Sequence, residues 1–458
     1  MDYTLLKDAY YGSGGFETGQ YLNKHKREAD DDYRFRQKNA YYLNYFSPIV
    51  NALVDPIFKR QPLRDYSGPA APTIKEFLKD VDTSGTDIHM FMKRAAIMAK
   101  VYGVSFIVID NVRELQARTL AEMLQQREFP FAYVLRPQDL VEYGVDKTGA
   151  LLYIQFQEVA SIKDGAPQYR YVYYDRKRWE VWGDELMKSS GEHGLGCVPV
   201  VPLFSRMLEQ KTMRPVPDLL PIARTAKALY NHCSWLGEIL RNQTFPLLTI
   251  PSLDVNDLVV GTNNALGYNP DCSDAPAFIA PPSDPATVLQ NQIASLIQEM
   301  YRMANLSFVI NTSQNNNSGI ARQWEFERTN QQLANFSLQC ARAEESVMEV
   351  VAKWLNSDIE YTVTYPDDFG IVDVANELTQ AQMVLDMDLT DGLREEVLKK
   401  VMAAYCPDIP DERFDELVEQ MQKSEEDKTN AEPTAPEGPP EEPPTPKPGE
   451  DKPDGSDA

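Results

Sequence analysis

Two adjacent aspartates behind a tyrosine and a proline, Tyr365-Pro366-Asp367-Asp368, are the residues of this 458-residue chain best spaced for metal-assisted chemistry. Paired carboxylates can hold divalent ions for phosphoryl transfer on nucleic acid, but they need a hairpin, a third carboxylate nearby and a basic channel for the substrate. Here the pair follows one alternating run, 359–365, and precedes helix-like sequence in a chain of formal charge −24. It reads as a turn closing a strand, with an aspartate near a helix start. The four histidines, His25, His89, His193 and His232, have no i, i+4 histidine partner, so no histidine metal site is expected. Five scattered cysteines (Cys197, Cys233, Cys272, Cys340 and Cys406) contain no Cys-x-x-Cys pair and fit reduced thiols in a cytosolic setting. Gly12-Ser13-Gly14-Gly15 lacks the lysine of a phosphate loop and reads as a flexible segment. No catalytic residue, metal or cofactor is expected, and the chain reads as not an enzyme.

A second group of residues is notable for what it does not bind. Asn311, Thr312, Ser313, Gln314, Asn315, Asn316, Asn317, Ser318 and Gly319 form a run without charge or large apolar side chains, suited to an exposed mobile loop. From Asn242 to Tyr301 there is no Lys or Arg, while Asp254, Asp257, Asp271, Asp274, Asp284 and Glu299 supply negative charge. A protein that grips nucleic acid does so with cations that displace counterions, so these stretches cannot clamp phosphates. They can let a polyanion pass with little friction.

The elements that position these residues are read from periodicity. An apolar and aromatic helix is expected over 39–59, broken at Pro48 and Pro56, then a linker over 62–72 and helices over 73–81 and 86–101. Gly103 stops the last of these, and Val104-Ser-Phe-Ile-Val-Ile109 has the composition of a buried strand. Short alternating runs at 131–135, 151–159, 169–174, 179–182 and 198–204 predict an antiparallel sheet module. A helix over 216–243 and another over 284–304 bracket a small insertion with strands near 245–250 and 275–280 and a helical turn near 254–260. Phe326, Leu333, Cys340, Val347 and Trp354 recur every seven residues, with Thr329, Phe336, Ala343 and Val350 between them, which predicts one long helix packed along a stripe. A strand over 359–365 and short helices over 372–421 follow. No apolar run reaches the roughly 18 residues needed to cross a bilayer, and the amino terminus has no signal-like pattern, so neither secretion nor a membrane is expected. From Ser424 the chain is Pro-rich and acidic, net −8, and reads as disordered.

Taken in order, these elements resemble the portal proteins of tailed bacteriophages, the head-to-tail connectors. YLNYFSPIVNALVDPIFKRQP at 42–62 is similar to the family's amino-terminal helix, and AAIMAKVYGVSFIVID at 95–110 to its helix, glycine and strand. Ser318-Gly-Ile-Ala321 after the polar loop is similar to the start of its long helix. Asn111 and Val112 stand where a proline often follows the strand aspartate. The resemblance spans about 42–421 and leaves the amino terminus unassigned.

The resemblance implies an α+β multidomain subunit. Its parts would be a wing (1–213), a stem helix (214–243), a clip (244–283), a second stem helix (284–304) and a tunnel loop (305–318). A long helix and a strand returning to the wing (319–371), a crown (372–423) and a disordered tail (424–458) would complete it. It further implies a ring, typically of twelve copies, at a capsid vertex of the virion, assembled in the host cytoplasm. Its partners would be terminase, a head-completion or tail adaptor protein, capsid and scaffold proteins, and double-stranded DNA that passes without tight binding. The Asn311 to Asn317 run would lie in the tunnel loop, and Asp254, Asp257, Asp271 and Asp274 on clip and channel surface. Two other readings stay open: an acidic coiled-coil scaffold or adaptor built on the heptads, and a nucleic-acid enzyme built on Asp367 and Asp368.

The tail cannot bury enough apolar area to offset its chain entropy. Truncation after Lys423 is expected to change unfolding free energy by no more than about 0.5 kcal/mol, measured by denaturant titration; a larger loss means the tail docks on the body.

Overall fold

The computed structural model describes residues 2–112, 117, 119–183, 186–207, 212–244, 247–249, 277–279, 284–307 and 319–369. Within them the chain is mixed α and β, with antiparallel strand pairing throughout. It opens with α1 (Tyr3–Tyr11), α2 (Asp30–Asn39) and α3 (Phe46–Ala52). The single helix expected over 39–59 is therefore much shorter. Pro48 is tolerated because it falls in the first turn of α3, where its missing N–H has no intrahelical acceptor; residues 40–45 carry no regular structure, and turns replace helix before Pro56.

The Gly12–Gly15 segment is held in place, contrary to the expectation of a flexible end. Gly12, at φ 67°, closes α1 in the left-handed region that glycine adopts without strain. The Gly15 N–H (3.0 Å) and the Tyr21 hydroxyl (2.8 Å) both donate to the buried Asp8 carboxylate. These contacts join residues only 7 and 13 apart, but composition alone does not announce them.

The next stretch comprises β1 (Leu63–Ser67), α4 (Ala71–Lys79), α5 (Ile88–Tyr102) and β2 (Val104–Asp110). At Gly103 (φ 85°) an added Cβ would meet the Pro217 backbone at 3.0 Å, so the turn from α5 into β2 needs glycine twice over. After α6 (Leu120–Gln125) come β3 (Phe131–Leu135), β4 (Leu140–Val145), β5 (Leu151–Lys163), β6 (Ala166–Asp175), β7 (Arg178–Gly183), β8 (Leu186–Glu192) and β9 (Val200–Phe204). They make two sheets rather than one module: β3-β2-β9, and the meander β4-β5-β6-β7-β8.

The position of β2 explains its uninterrupted apolar run. One face, Ile107 and Ile109, lies in a core with α4, α5 and the long helix α9 (Gly319–Leu355). The other, Val104, Phe106 and Val108, packs against Ile154, Phe156, Val172 and Tyr174 of the meander. A strand covered on both faces has no solvent side and so shows no alternation.

The seven-residue stripe of α9 is covered by this same core. Leu333, Phe336, Cys340, Ala343, Val347, Val350 and Val351 are all buried there, each fully buried large side chain contributing roughly 1.5–3 kcal/mol. The predicted stripe is thus packed, over these residues, within one chain. Phe326 and Trp354 at its ends are half-buried, and the Trp354 indole N–H donates to the Ile109 carbonyl (3.2 Å).

The 62–72 stretch is not a linker. Its strand β1 pairs with β12 (Glu360–Thr364), Leu63 opposite Thr364 and Ser67 opposite Glu360, nearly 300 residues along the chain. A buried carboxylate fixes this ribbon to α9. Glu344 has no exposed surface and accepts from Arg64 Nε (2.7 Å) and Nη2 (3.2 Å), from the Tyr361 hydroxyl (2.6 Å) and from the Tyr365 hydroxyl (2.5 Å). Burial, and then the Glu344 charge, push the Tyr361 and Tyr365 phenols above their ordinary range, so both remain proton donors.

Removing one member of a buried ion pair strands the other. Arg64→Ala and Glu344→Leu are each expected to lower stability by about 3–5 kcal/mol in denaturant titrations, and Arg64→Met with Glu344→Leu to recover most of that loss. Additive losses in the double variant would mean that the two side chains act independently.

Candidate functional site

Two helices joined through a small insertion form the part of the chain with the clearest division between an embedded and an exposed end. They are α7 (Leu220–Thr244) and α8 (Asp284–Met303), linked through the antiparallel pair β10 (Leu247–Thr249) and β11 (Ala277–Ile279). The first half of α7 buries Leu220, Ile222, Ala223, Ala226, Leu229, Tyr230 and Cys233, together with Met300, Ala304 and Leu306 at the far end of α8. Beyond this base the pair opens to solvent: Trp235, Leu240 and Val288 are 37%, 44% and 66% exposed.

The base is bolted to the amino-terminal segment. Asn231 accepts from the Asn23 N–H (2.7 Å) and donates to the Tyr21 carbonyl (3.0 Å), while the Tyr230 hydroxyl donates to the Phe16 carbonyl (2.9 Å). Arg36, buried beside Glu28, reaches Ser234 Oγ (3.0 Å). Residues 16–36, outside the span of the family resemblance, thus hold the root of α7.

The electrostatics of the exposed half come from cations that are already engaged. Arg302 is held by Glu299 through Nε (2.7 Å) and Nη2 (2.5 Å), which keeps the Glu299 carboxyl below its usual range. Arg241 lies over the Phe35 ring (4.1 Å) and near Glu238 (3.7 Å). Between them, residues 242–301 contribute no basic side chain.

The exit from α8 is built on one residue. Asn305 adopts the left-handed region (φ 59°) just past the helix, a position that asparagine tolerates better than branched residues. Its amide donates to Gln332 Oε1 (2.9 Å), and its carbonyl accepts from the Thr329 hydroxyl (2.5 Å). The end of α8 is thereby clamped to α9 ten residues inside that helix, which continues about 15 Å further towards Gly319.

Of the residues singled out in sequence, Leu333, Cys340 and Val347 lie side by side in the core under α9, with Phe326 and Trp354 at its margins. Asn311, Ser313, Gln314, Asn315, Asn316 and Asn317 lie outside the described residues, as do Asp254, Asp257, Asp271 and Asp274 and the expected crown and tail. Asp368 accepts from the Asn330 amide (3.3 Å), whose oxygen accepts from the Phe369 N–H (2.8 Å), so the pair sits in an irregular stretch tied to α9 rather than in the expected turn. Among the described residues no group of three or more His, Cys, Asp or Glu is placed to hold a metal, and no helix is long and apolar enough to cross a membrane.

Sequence reasoning missed Asn305, Gln332 and the Glu344 cluster. An asparagine directly after a helix is a recognisable stop signal and marked the first of these. A single glutamate beside an apolar seam carries no sign of its partners.

No family model matches the chain, and no curated protein matches it. Among solved structures it is similar to a chain in the virion of a native gene transfer agent particle, at 11% identity and TM-score 0.46, covering 87% of this chain and 93% of that one. It is also similar to chains in the neck of the native particle computed with C12 symmetry (10%, TM-score 0.42) and of the empty particle computed with C6 symmetry (13%, TM-score 0.42). Each of these covers 77% of this chain and 88% of the other.

The clamp at Asn305 sets an expected ranking. Asn305→Gly keeps the backbone geometry and loses one side-chain hydrogen bond, about 1 kcal/mol; Asn305→Val adds left-handed strain and is expected to cost roughly 1–2 kcal/mol more. Thermal unfolding of both variants checks this, and equal losses would mean that the backbone conformation at 305 is immaterial.

Proposed function

We propose that this chain is the subunit of a phage-type portal ring, the channel at a capsid vertex through which double-stranded DNA is packaged, retained and ejected. The observation that carries the reading is the helix pair α7 and α8, rooted in the body at one end and exposed beyond it, with no cation from residue 242 to residue 301. The order of elements around it supports the same reading: a small two-stranded insertion between the helices, an uncharged polar run after α8, then the long helix.

In this reading residues 1–213 are the wing, α7 and α8 the stem, 244–283 the clip that meets terminase or an adaptor, and 305–318 the tunnel loop. Residues 319–371 return to the wing, and 372–423 form the crown. The chain works by passage rather than by chemistry, with no catalytic residue, metal or cofactor, and a separate terminase supplies the force. Walls without free Lys or Arg repel the phosphates and keep DNA centred, whereas many cationic contacts would impose a salt-dependent dwell. The Asn305 clamp fixes the root of that loop on α9.

A scaffold built on a coiled coil is disfavoured by one observation. From Leu333 to Val350 the stripe that would meet a partner helix is buried beneath the chain's own sheet and helices.

The test is assembly followed by passage. Light scattering and negative-stain imaging of purified protein are expected to show closed rings formed by heterologous contacts, about twelve copies round. Replacing residues 313–317 with Gly-Ser is expected to leave rings and stability intact, because closure entropy changes by only about 0.6 kcal/mol per doubling of loop length, while lowering packaging or retention in a complete phage system. A protein that stays monomeric or dimeric at all concentrations would sink the portal reading. Normal packaging by the shortened protein would leave the ring and remove the role of the loop.

A further inference from the structure

A cavity whose wall brings together two cations that make no ion pair among the described residues lies at the foot of α1. It has a volume of about 520 Å³ and is lined by Tyr3, Thr4, Lys7, Pro137, Gln138 and Arg214. None of the six is acidic, in a chain that carries 69 Asp and Glu against 45 Lys and Arg. Lys7 is exposed, and neither it nor Arg214 makes an ion pair among the described residues.

Arg214 is held for a purpose that its own contacts do not complete. Its Nη2 donates to the Leu140 carbonyl, which orients the guanidinium, and its backbone N–H donates to Thr212 Oγ1 (3.2 Å). Its Nε is buried without a hydrogen-bond partner. A buried N–H of a charged group costs stability unless an acceptor meets it. The Thr4 hydroxyl completes a wall rich in donors.

From this arrangement we infer that the cavity is an oxyanion site, and that its ligand is a compact dianion of the phosphate type, either inorganic phosphate or a phosphomonoester. Two cations balance two charges, and a planar guanidinium already fixed through one nitrogen meets a phosphate oxygen with little loss of freedom. A nucleic-acid backbone fits less well. Its diesters carry one charge each, and their neighbours would face the acidic body. The lining lies outside α7, α8 and the polar run, so anion binding and ring formation are tested separately.

The test titrates the full chain, in a buffer of constant ionic strength set with chloride, with sodium phosphate, glycerol phosphate, acetate and a short DNA duplex by calorimetry. Saturable binding of phosphate or glycerol phosphate is expected, with Kd about 1 mM or tighter, acetate at least tenfold weaker, and no competition from the duplex. Tighter binding of glycerol phosphate would assign the site to phosphomonoesters, and equal or weaker binding to the free ion. Lys7→Gln, at an exposed position, is expected to raise Kd at least threefold, and Arg214→Gln at least tenfold. Should Arg214→Gln fail to fold, Lys7→Gln alone decides. Absence of saturation at 20 mM phosphate (roughly twenty times that expected Kd), an unchanged Kd in Lys7→Gln, or displacement of phosphate by the duplex would each overturn the assignment.

Discussion

A carboxylate without water around it must be met by charge and by hydrogen bonds, and Glu344 imposes that requirement on three separate parts of the chain. Arg64 comes from β1, Tyr361 and Tyr365 from β12 and the residue just after it, and the carboxylate from the middle of α9. Desolvating such a group costs several kcal/mol, so the packing tolerates few arrangements other than the one that returns all these donors to it. The ribbon of β1 and β12 therefore sits in one register against the long helix. Once that helix is placed, its stripe, the two faces of β2 and the meander beyond follow as successive layers.

Local rules read well wherever the partner is near in sequence or the burial is complete. The strand at 104–110, the helix stop at Gly103, the insertion strands and the helices on either side of them all answer to periodicity and turn chemistry. The length of α9 was legible from its heptads, but its partner was not: a stripe of period 3.5 fits a sheet as well as a second helix. What stayed hidden depended on distant pairs. Leu63–Ser67 is polar and alternating and acquires a strand's identity only from residues 360–364. Arg36, Asn23 and Tyr21 look like ordinary surface residues until Asn231 and Ser234 are set beside them. The site followed the same division. Asn305 stood at a recognisable helix stop, whereas the cations of Lys7 and Arg214 meet only through the fold.

The division between charged and uncharged surface has a physical logic. Among the described residues most arginines are held by a nearby carboxylate, as in Arg127 with Asp80 and Arg136 with Asp139. The longest stretch without Lys or Arg, residues 242–301, runs from the end of α7 through most of α8. Lys100, fully enclosed, shows how strictly the interior is treated. It donates to the Ser205 carbonyl (3.0 Å), lies 4.0 Å from the centre of the Phe336 ring, and is drawn by burial down to about 8 from the ordinary lysine value.

The rooting of α7 gives the helix the mechanics of a cantilever. Its first four turns are encased by the amino-terminal segment and the core, and the ten residues from Trp235 to Thr244 extend about 15 Å beyond the last buried anchor at Ser234. A sideways load at the tip becomes a torque about that anchor. It is resisted by short, directional bonds through Asn231 and Ser234 and by the Tyr230 hydroxyl, all of which end on residues 16–36. Stiffness at the tip thus depends on residues 208 and 214 positions away in the chain. Loosening residues 16–36 would soften the lever without altering a single side chain on its exposed half.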